Sequence, residues 1–410
     1  MKRVTKILLM LLAVLLTAAP CVAEERATAP VATEYMSEGM YDPFESQTVV
    51  ETVADASALT VSATAAVLME RVSGKILYEK NPDEHRPPAS ITKIMTLLLT
   101  MEAIESGKIA LTDRVVASAH ACHMGGSQIW LEEGEAMTVD DLLKAVCVAS
   151  ANDAAVALGE HLAGSEEAFV VQMNERAKQL GMENTNFVNC CGLDAENHYT
   201  TARDIAIMSR ELIAHPLITE YSTIWMDSLR DGKTELVNTN KLVRFYEGAT
   251  GLKTGTTDDA GYCVSATAQK GGMDLIAVVL DGATSDKRFA DAKALLNFGF
   301  ANWTLTKVDT GETILPSVEV VGGTARQVTV SATAIDPVLI KKGTDAQVQA
   351  TVELPESVDA PVAAGQRLGT LTYRIGETVV GEAPILAEEG VSRLTFPLAM
   401  KKILQQLIKL

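Results

Sequence analysis

Between Pro87 and Met101 the chain runs PPASITKIMTLLLTM, two prolines followed by an apolar stretch with no helix breaker. Proline suits the entry or first turn of a helix. Ile91 to Met101 is apolar almost all the way round, the pattern of a helix sunk in a core rather than laid on a surface. Whatever this chain folds into must therefore cover that helix from every side. Two polar groups stand at its head. Ser90 and Lys93 are three residues apart, so they share one face, a turn from each other. A hydroxyl and an amine in such a place are expensive unless they are used. One reading makes Ser90 a helix cap and Lys93 a side chain reaching for water. The other makes Ser90 a nucleophile and Lys93 its base.

The covering material is ample. The 410 residues exceed one ordinary core and imply two domains. With 47% hydrophobic residues and few aromatics, the composition fits a soluble globular protein. A formal net charge of −18 argues against nucleic acid as a partner. Residues 1–23 form a signal peptide by pattern: Lys2, Arg3 and Lys6 precede the apolar run Ile7 to Ala19, and small residues Cys21 and Ala23 flank Val22 ahead of a cut after Ala23. The run is shorter than the roughly 18–20 residues of a membrane span. Removing it takes away three positive charges and no negative one. Residues 24–57, acidic and without clear period, are expected to be a flexible leader. Five cysteines remain: Cys122, Cys147, Cys190, Cys191 and Cys263. An odd number with two adjacent is no disulfide framework, and such thiols usually act as small buried hydrophobes. His120-Ala121-Cys122-His123 fits no standard zinc spacing, so neither metal nor cofactor is expected.

Residues 58–304 carry an α+β pattern. AAVLMERVSGKILYEKN, from Ala65, predicts a hairpin around Ser73-Gly74. The helix that holds Ser90 ends near Ser106-Gly107. Loop and short strand fill 108–136. Thr138 to Leu162 is helical, opened by a capping Thr with Asp141 three residues on, and broken at Ser150-Ala151-Asn152-Asp153 by cap-forming residues. Helices follow over Glu166–Leu180 and from Thr200 to about Ala214. From about Thr250 to Gly282 the pattern is strand, turn, strand, turn, strand, and a closing helix covers Ser285–Phe300. Strands at both ends of a helical block predict an antiparallel sheet. Over 305–395, QVTVSATA, AQVQATVEL and GTLTYRI alternate at period two, which predicts a small all-β sandwich. Residues 396–410 form an amphipathic helix. Met400, Ile403, Leu404, Leu407 and Ile408 fall on one face, and Lys401, Lys402, Gln405, Gln406 and Lys409 on the other. It is too short to span a bilayer. It either docks on its own domain or lies in a membrane interface. Its basic polar face on an acidic protein favours the interface.

Three stretches carry chemistry: Ser90-Ile91-Thr92-Lys93, Ser150-Ala151-Asn152, and Lys253-Thr254-Gly255. Each alone is weak. Their order, spacing and contexts together are strong, with Ala151 where Asp stands in a common form of the second motif. With PASITKIMT, GGSQIWLEEGE, TVDDLLKA, ASANDAAVAL and GLKTGTT, the chain from about residue 60 to its end resembles the serine penicillin-recognising enzymes. Within them it is most similar to low-molecular-mass penicillin-binding proteins acting as D-Ala-D-Ala carboxypeptidases. The resemblance implies a β-lactamase/transpeptidase-like domain followed by the small all-β domain. It implies a serine-type carboxypeptidase that removes the terminal D-Ala from peptidoglycan pentapeptides through an acyl-serine, with β-lactams as covalent inhibitors. It further implies a protein secreted across the bacterial cytoplasmic membrane and held to its outer face by the C-terminal helix.

A serine hydroxyl is a poor nucleophile until a neighbour takes its proton. Lys93 can do so only when neutral, and burial plus a nearby cation lower a lysine's pKa. The resemblance places Lys253 near it. It also assigns Ser150 to proton relay towards the leaving amine and Asn152 to the substrate amide and the lysine. Lys253 and Thr254 would bind the substrate carboxylate, with Gly255 allowing close approach. The N–H groups of Ser90 and Thr256 would form an oxyanion hole. Arg288 is either a further carboxylate-binding group or a solvated charge on the closing helix. A class A-type β-lactamase shares the layout but would need a Glu-x-x-Leu-Asn between the second and third motifs, which this chain lacks. An endopeptidase would use the same site. A non-catalytic penicillin-sensing module usually loses a catalytic residue, and none is missing here.

Overall fold

The computed structural model describes residues 59–306, 315–333, 337–343 and 348–407. The expected signal peptide and leader lie outside them, as do Ile408 and Lys409.

The chain opens with the expected hairpin, β1 (Ala65–Glu70) and β2 (Ile76–Lys80). Its turn is closed by Glu70, whose buried carboxylate accepts the N–H groups of Val72 and Ser73 and the Ser73 hydroxyl. Next comes the apolar segment as α1 (Lys93–Glu105). Ile94, Met95, Leu97 and Leu98 are at most 1% exposed, so this helix is sunk as its composition requires. It starts later than the prolines imply. Ala89–Thr92 is a 3-10 turn, and Ser90 lies within it and caps nothing.

Short elements follow: β3 (Arg114–Val116), α2 (Ala119–Cys122) and β4 (Ala136–Thr138). The helical block comprises α3 (Val139–Val148), α4 (Asn152–Ala163), α5 (Glu166–Gln179) and α6 (Ala202–Leu212). Three of these start on a capping hydroxyl. Thr138, Ser165 and Thr201 accept from the N–H of Asp141, Ala168 and Asp204, each satisfying a donor that the helix cannot. The stretch to residue 248, for which no element was expected, holds α7 (Leu217–Ser222), β5 (Met226–Leu229), β6 (Thr234–Val237) and α8 (Leu242–Phe245).

Three long strands, β7 (Ala249–Thr257), β8 (Gly261–Lys270) and β9 (Met273–Gly282), and α9 (Ser285–Asn302) complete this part. The sheet is antiparallel with order β2-β1-β9-β8-β7. Helices cover both faces. On one, Ser209 of α6 meets Ser265 of β8 at 2.8 Å between hydroxyls. On the other, Gly299 of α9 lies against Leu275 and Leu68, where a Cβ would come within 2.4 Å of the Leu275 side chain. Double cover explains why β8 and β9 are apolar runs rather than alternating strands.

The remainder is all-β apart from its end. β10 (Trp303–Thr306) leads to β11 (Val318–Val321), β12 (Gln327–Val328), β13 (Val330–Ala332), β14 (Val338–Lys341), β15 (Val348–Glu353), β16 (Ser357–Asp359), β17 (Arg367–Ile375) and β18 (Thr378–Ala387). Two small sheets, β12-β11-β16 and β13-β18-β17-β15, carry separate apolar clusters, one around Val318, Val320 and Val391 and one around Leu371, Tyr373 and Ile385. β18 contains Gly381 and Pro384, which hide its pattern in the sequence. The terminal segment is helical over α10 (Phe396–Leu407). No helix among the described residues is long and apolar enough to cross a membrane.

Candidate active site

The three motifs, which lie far apart in sequence, meet at the head of α1. The turn bearing Ser90 is held in an uncommon shape. Ala89 has φ 48°, a left-handed conformation that costs a non-glycine residue about 1–3 kcal/mol. Its surroundings enforce it. The loop at Gly192 presses on the Ala89 carbonyl so closely that a Cβ there would be 1.8 Å from that oxygen. From the other side, a Cβ on Gly255 of β7 would be 3.0 Å from the Pro88 oxygen, the Ala89 Cβ and the Ser90 nitrogen. Two glycines thus let a loop and a strand grip the Ser90 turn, and Gly255 brings β7 beside the Ser90 amide.

Lys93 begins α1 and is fully buried. Its Nζ lies 2.9 Å from Ser90 Oγ, 2.6 Å from Asn152 Oδ1 and 2.6 Å from the Cys191 carbonyl. Asn152 opens α4 just after Ser150, whose φ of 62° breaks the helical run. The Asn152 amide is oriented by donating from Nδ2 to the Gly125 carbonyl at 2.9 Å, and its N–H donates to the Ser127 carbonyl at 2.7 Å. Ser150 is 4% exposed, and its hydroxyl makes no hydrogen bond to another described residue.

On β7, Lys253 is buried and donates to the Thr254 carbonyl at 3.0 Å. Thr254 donates to Thr239 Oγ1 at 2.7 Å, and Thr256 is exposed at the strand's edge. Arg288 is not a solvated charge. It is 7% exposed, and its Nη1 donates to the Gly255 carbonyl, Thr256 Oγ1 and the Cys263 carbonyl at 3.1, 2.9 and 3.2 Å. It reaches from α9 to brace β7 and β8 rather than pointing into solvent.

Burial pulls both lysines towards neutrality. Lys93 drops to about 8 because desolvation disfavours the ammonium, opposed by its acidic and thiol neighbours. Lys253 falls well below the ordinary lysine value, first through desolvation and next through repulsion from Lys93. A proton on either therefore disfavours a proton on the other.

Several supporting groups carried no signal in the sequence. The loop after Asn189 is wound around that residue's Oδ1, which accepts the N–H groups of Cys191, Gly192 and Leu193. This places the Cys191 carbonyl on Lys93. His198 lies buried behind the site. Its Nδ1 accepts from the Val188 N–H, so Nε2 carries the proton and donates to Thr92 Oγ1 at 2.8 Å. Desolvation lowers its pKa to about 4 and keeps it neutral. Asp194 ties the loop to the end of β7 by accepting from Thr257 at 2.7 Å. Asp153, beside Asn152, accepts the N–H groups of Ile129 and Leu131 and so fixes the facing loop. The five cysteines are free thiols. His120 pairs with Glu166 at 2.7 Å, and no metal-binding cluster occurs among the described residues.

The family model for D-alanyl-D-alanine carboxypeptidases matches residues 51–284, and that for the C-terminal domain of penicillin-binding protein 5 matches residues 304–393. The D-alanyl-D-alanine carboxypeptidase DacF of Bacillus subtilis is 43% identical over 350 residues, 84% of this chain and 90% of that protein. Penicillin-binding protein 5 from Haemophilus influenzae superposes with a TM-score of 0.71 at 33% identity, over 82% of this chain and 98% of its own. Penicillin-binding protein D2 from Listeria monocytogenes, in its ampicillin-bound form, superposes with a TM-score of 0.55 at 36% identity, over 59% of this chain and 99% of its own. The likeness spans both the sheet that carries the motifs and the all-β part beyond it, and so the chain belongs to the D-alanyl-D-alanine carboxypeptidase family of serine peptidases.

Proposed function

We propose that this protein is a penicillin-binding serine D-Ala-D-Ala carboxypeptidase that removes the terminal D-Ala from peptidoglycan pentapeptides through an ester on Ser90. The observation that carries the assignment of roles is the set of partners around Lys93. A neutral amine has two N–H donors and one lone pair. Asn152 Oδ1 and the Cys191 carbonyl can only accept, and they use the two donors. The third partner, the Ser90 hydroxyl at 2.9 Å, can donate. A neutral Lys93 is thus fully satisfied with its lone pair turned to the nucleophile, the arrangement a general base needs.

Substrate binding would complete this state. A terminal carboxylate at Lys253 and Thr254 restores the Lys253 charge, and that charge lowers the Lys93 pKa further. Ser90 Oγ then attacks the carbonyl of the penultimate D-Ala while its proton passes to Lys93. The oxyanion is received by the N–H groups of Ser90 and Thr256, donors commonly worth about 3–4 kcal/mol of barrier each. The proton moves by way of Ser150 to the leaving amine, the C–N bond breaks, and D-Ala departs. Water activated by Lys93 attacks the ester, releasing the shortened peptide and restoring the Ser90 hydroxyl. Arg288 holds Gly255 and Thr256 in place for these contacts. A β-lactam would enter the same course and stop at the ester.

The boundaries we infer are a catalytic domain over 58–304, an all-β domain over 305–395 and a membrane-associating helix over 396–410. Export and attachment to the outer face of the membrane are supported by the N-terminal pattern and by α10, where Phe396, Leu398 and Met400 are 76%, 40% and 43% exposed. The test is intact mass after incubation with penicillin, together with D-Ala release from a pentapeptide. One penicilloyl adduct on the wild type, slowly lost, and none on Ser90→Ala is expected. An adduct on Ser90→Ala would overturn the assignment, and rapid release would indicate a β-lactamase.

A further inference from the structure

Beside the active site the chain displays an aromatic side chain that the mechanism leaves unused. Trp130 is 53% exposed and has φ 57°. A large apolar side chain in solvent is common. A strained backbone beneath it is not, and the surroundings are built to hold that strain. The N–H groups on either side of it, from Ile129 and Leu131, donate to the Asp153 carboxylate at 3.2 and 3.0 Å, and Asp153 is fully buried. The carbonyl of Ile129 accepts from Arg230 Nη1 at 2.8 Å. Arg230 is itself fixed by Glu135 through Nε and Nη2, at 2.7 and 2.9 Å, and by Thr234 at 2.8 Å. Arg230 too has a positive φ, 54°. A buried carboxylate and an arginine therefore clamp three main-chain atoms around one residue whose side chain they leave in water.

The clamp is continuous with the catalytic groups. Asp153 adjoins Asn152, and Asn152 binds the Gly125 and Ser127 carbonyls of the same loop. A group docked on the indole would thus be registered against Lys93 and Ser90 by rigid main chain. Such preorganisation is what makes a single aromatic useful for binding.

We propose that Trp130 is a fixed platform on which a neutral pyranose ring of the substrate's glycan stacks. This rests on the carboxypeptidase reading above, which supplies a peptide attached to sugar. The indole face suits the apolar C–H face of a pyranose. Glu133, exposed three residues beyond Trp130 in the sequence, has a carboxylate able to accept the hydroxyl and amide protons that a neutral amino sugar offers. The exposed acidic residues Glu132 and Glu133 that follow Trp130 in the chain disfavour an anionic lipid surface as the occupant.

The experiment compares kcat/KM for a free pentapeptide and for the same pentapeptide still carrying its N-acetylated disaccharide, in wild type, Trp130→Ala and Trp130→Tyr. In Trp130→Ala the ratio of glycan-linked to free-peptide kcat/KM should fall about tenfold, mainly through KM, with Trp130→Tyr recovering most of it. An equal loss on both substrates would make Trp130 merely structural and overturn the proposal, as would an unchanged ratio. Penicillin acylation of each variant, measured in parallel, reports Ser90 chemistry independently. Its failure in the wild type would sink the carboxypeptidase reading, while its persistence with an unchanged ratio would sink the platform alone.

Discussion

Gly192→Ala should disable the site without replacing any side chain assigned to the chemistry. Gly192 has φ 89°, where an alanine is strained by about 1–2 kcal/mol. The new methyl would begin 1.8 Å from the Ala89 oxygen, 2.3 Å from its carbonyl carbon and 2.9 Å from the Ser90 nitrogen. Carbon–oxygen contact needs about 3.3–3.5 Å, so one of the two backbones must retreat by about 1.5 Å. Neither yields easily, since Gly192 is tied to Asn189 and Ala89 is backed by Gly255. Overpacking of this kind costs about 1–3 kcal/mol, which with the conformational strain lowers stability by about 2–5 kcal/mol and Tm by roughly 5–15 °C. Displacement of the nucleophile by about 1 Å costs about a hundredfold in rate. The assay is the acylation rate with a fluorescent penicillin, read alongside thermal unfolding well below the variant's Tm. Acylation within threefold of wild type, with Tm unchanged, would show that the loop does not grip the Ser90 turn as described.

If Lys93 must be neutral to act, kcat/KM for the pentapeptide should rise about tenfold per pH unit up to about 8 and then level; a flat profile from pH 6 to 9 would remove Lys93 as base. The same shift affects stability. Below about 8 both folded and unfolded states hold the Lys93 proton, and between about 8 and 10.5 only the unfolded chain does, so its contribution to stability rises with pH across that window. Deleting residues 398–410 should release the protein from anionic vesicles with pentapeptide hydrolysis intact, as sedimentation would show; a truncated form that still sediments with vesicles would exclude the helix as anchor.

The sequence was most legible where one local rule decides the outcome. Thr138 and Asp141 marked the start of α3, Ser150 and Asn152 its break, and the buried run after Pro88 the central helix. The stretch from 217 to 248 was silent because its elements are too short to show a period, and β18 because Gly381 and Pro384 interrupt its alternation. Within the site, the residues carrying motifs were readable and those holding them were not. Lys93 is oriented by the carbonyl of Cys191 and Ser90 is confined by the backbone at Gly192. Main-chain atoms have no letter of their own. Arg288 presented two equal readings because burial, which separates a brace from a solvated charge, depends on the packing of α9 against the sheet.

The position of β1 has a consequence for how the protein is made. It lies inside the sheet, between β2 and β9, with Ala65 opposite Leu280. The strand synthesised first in this domain thus finds its second neighbour only when nearly the whole domain exists. Contacts so remote in sequence form late, because chain entropy must be surrendered before they give anything back. If the chain is exported unfolded, as proposed above, this order is protective. The sheet then cannot close around the leading hairpin until β9 and the Lys253 strand are present beside it.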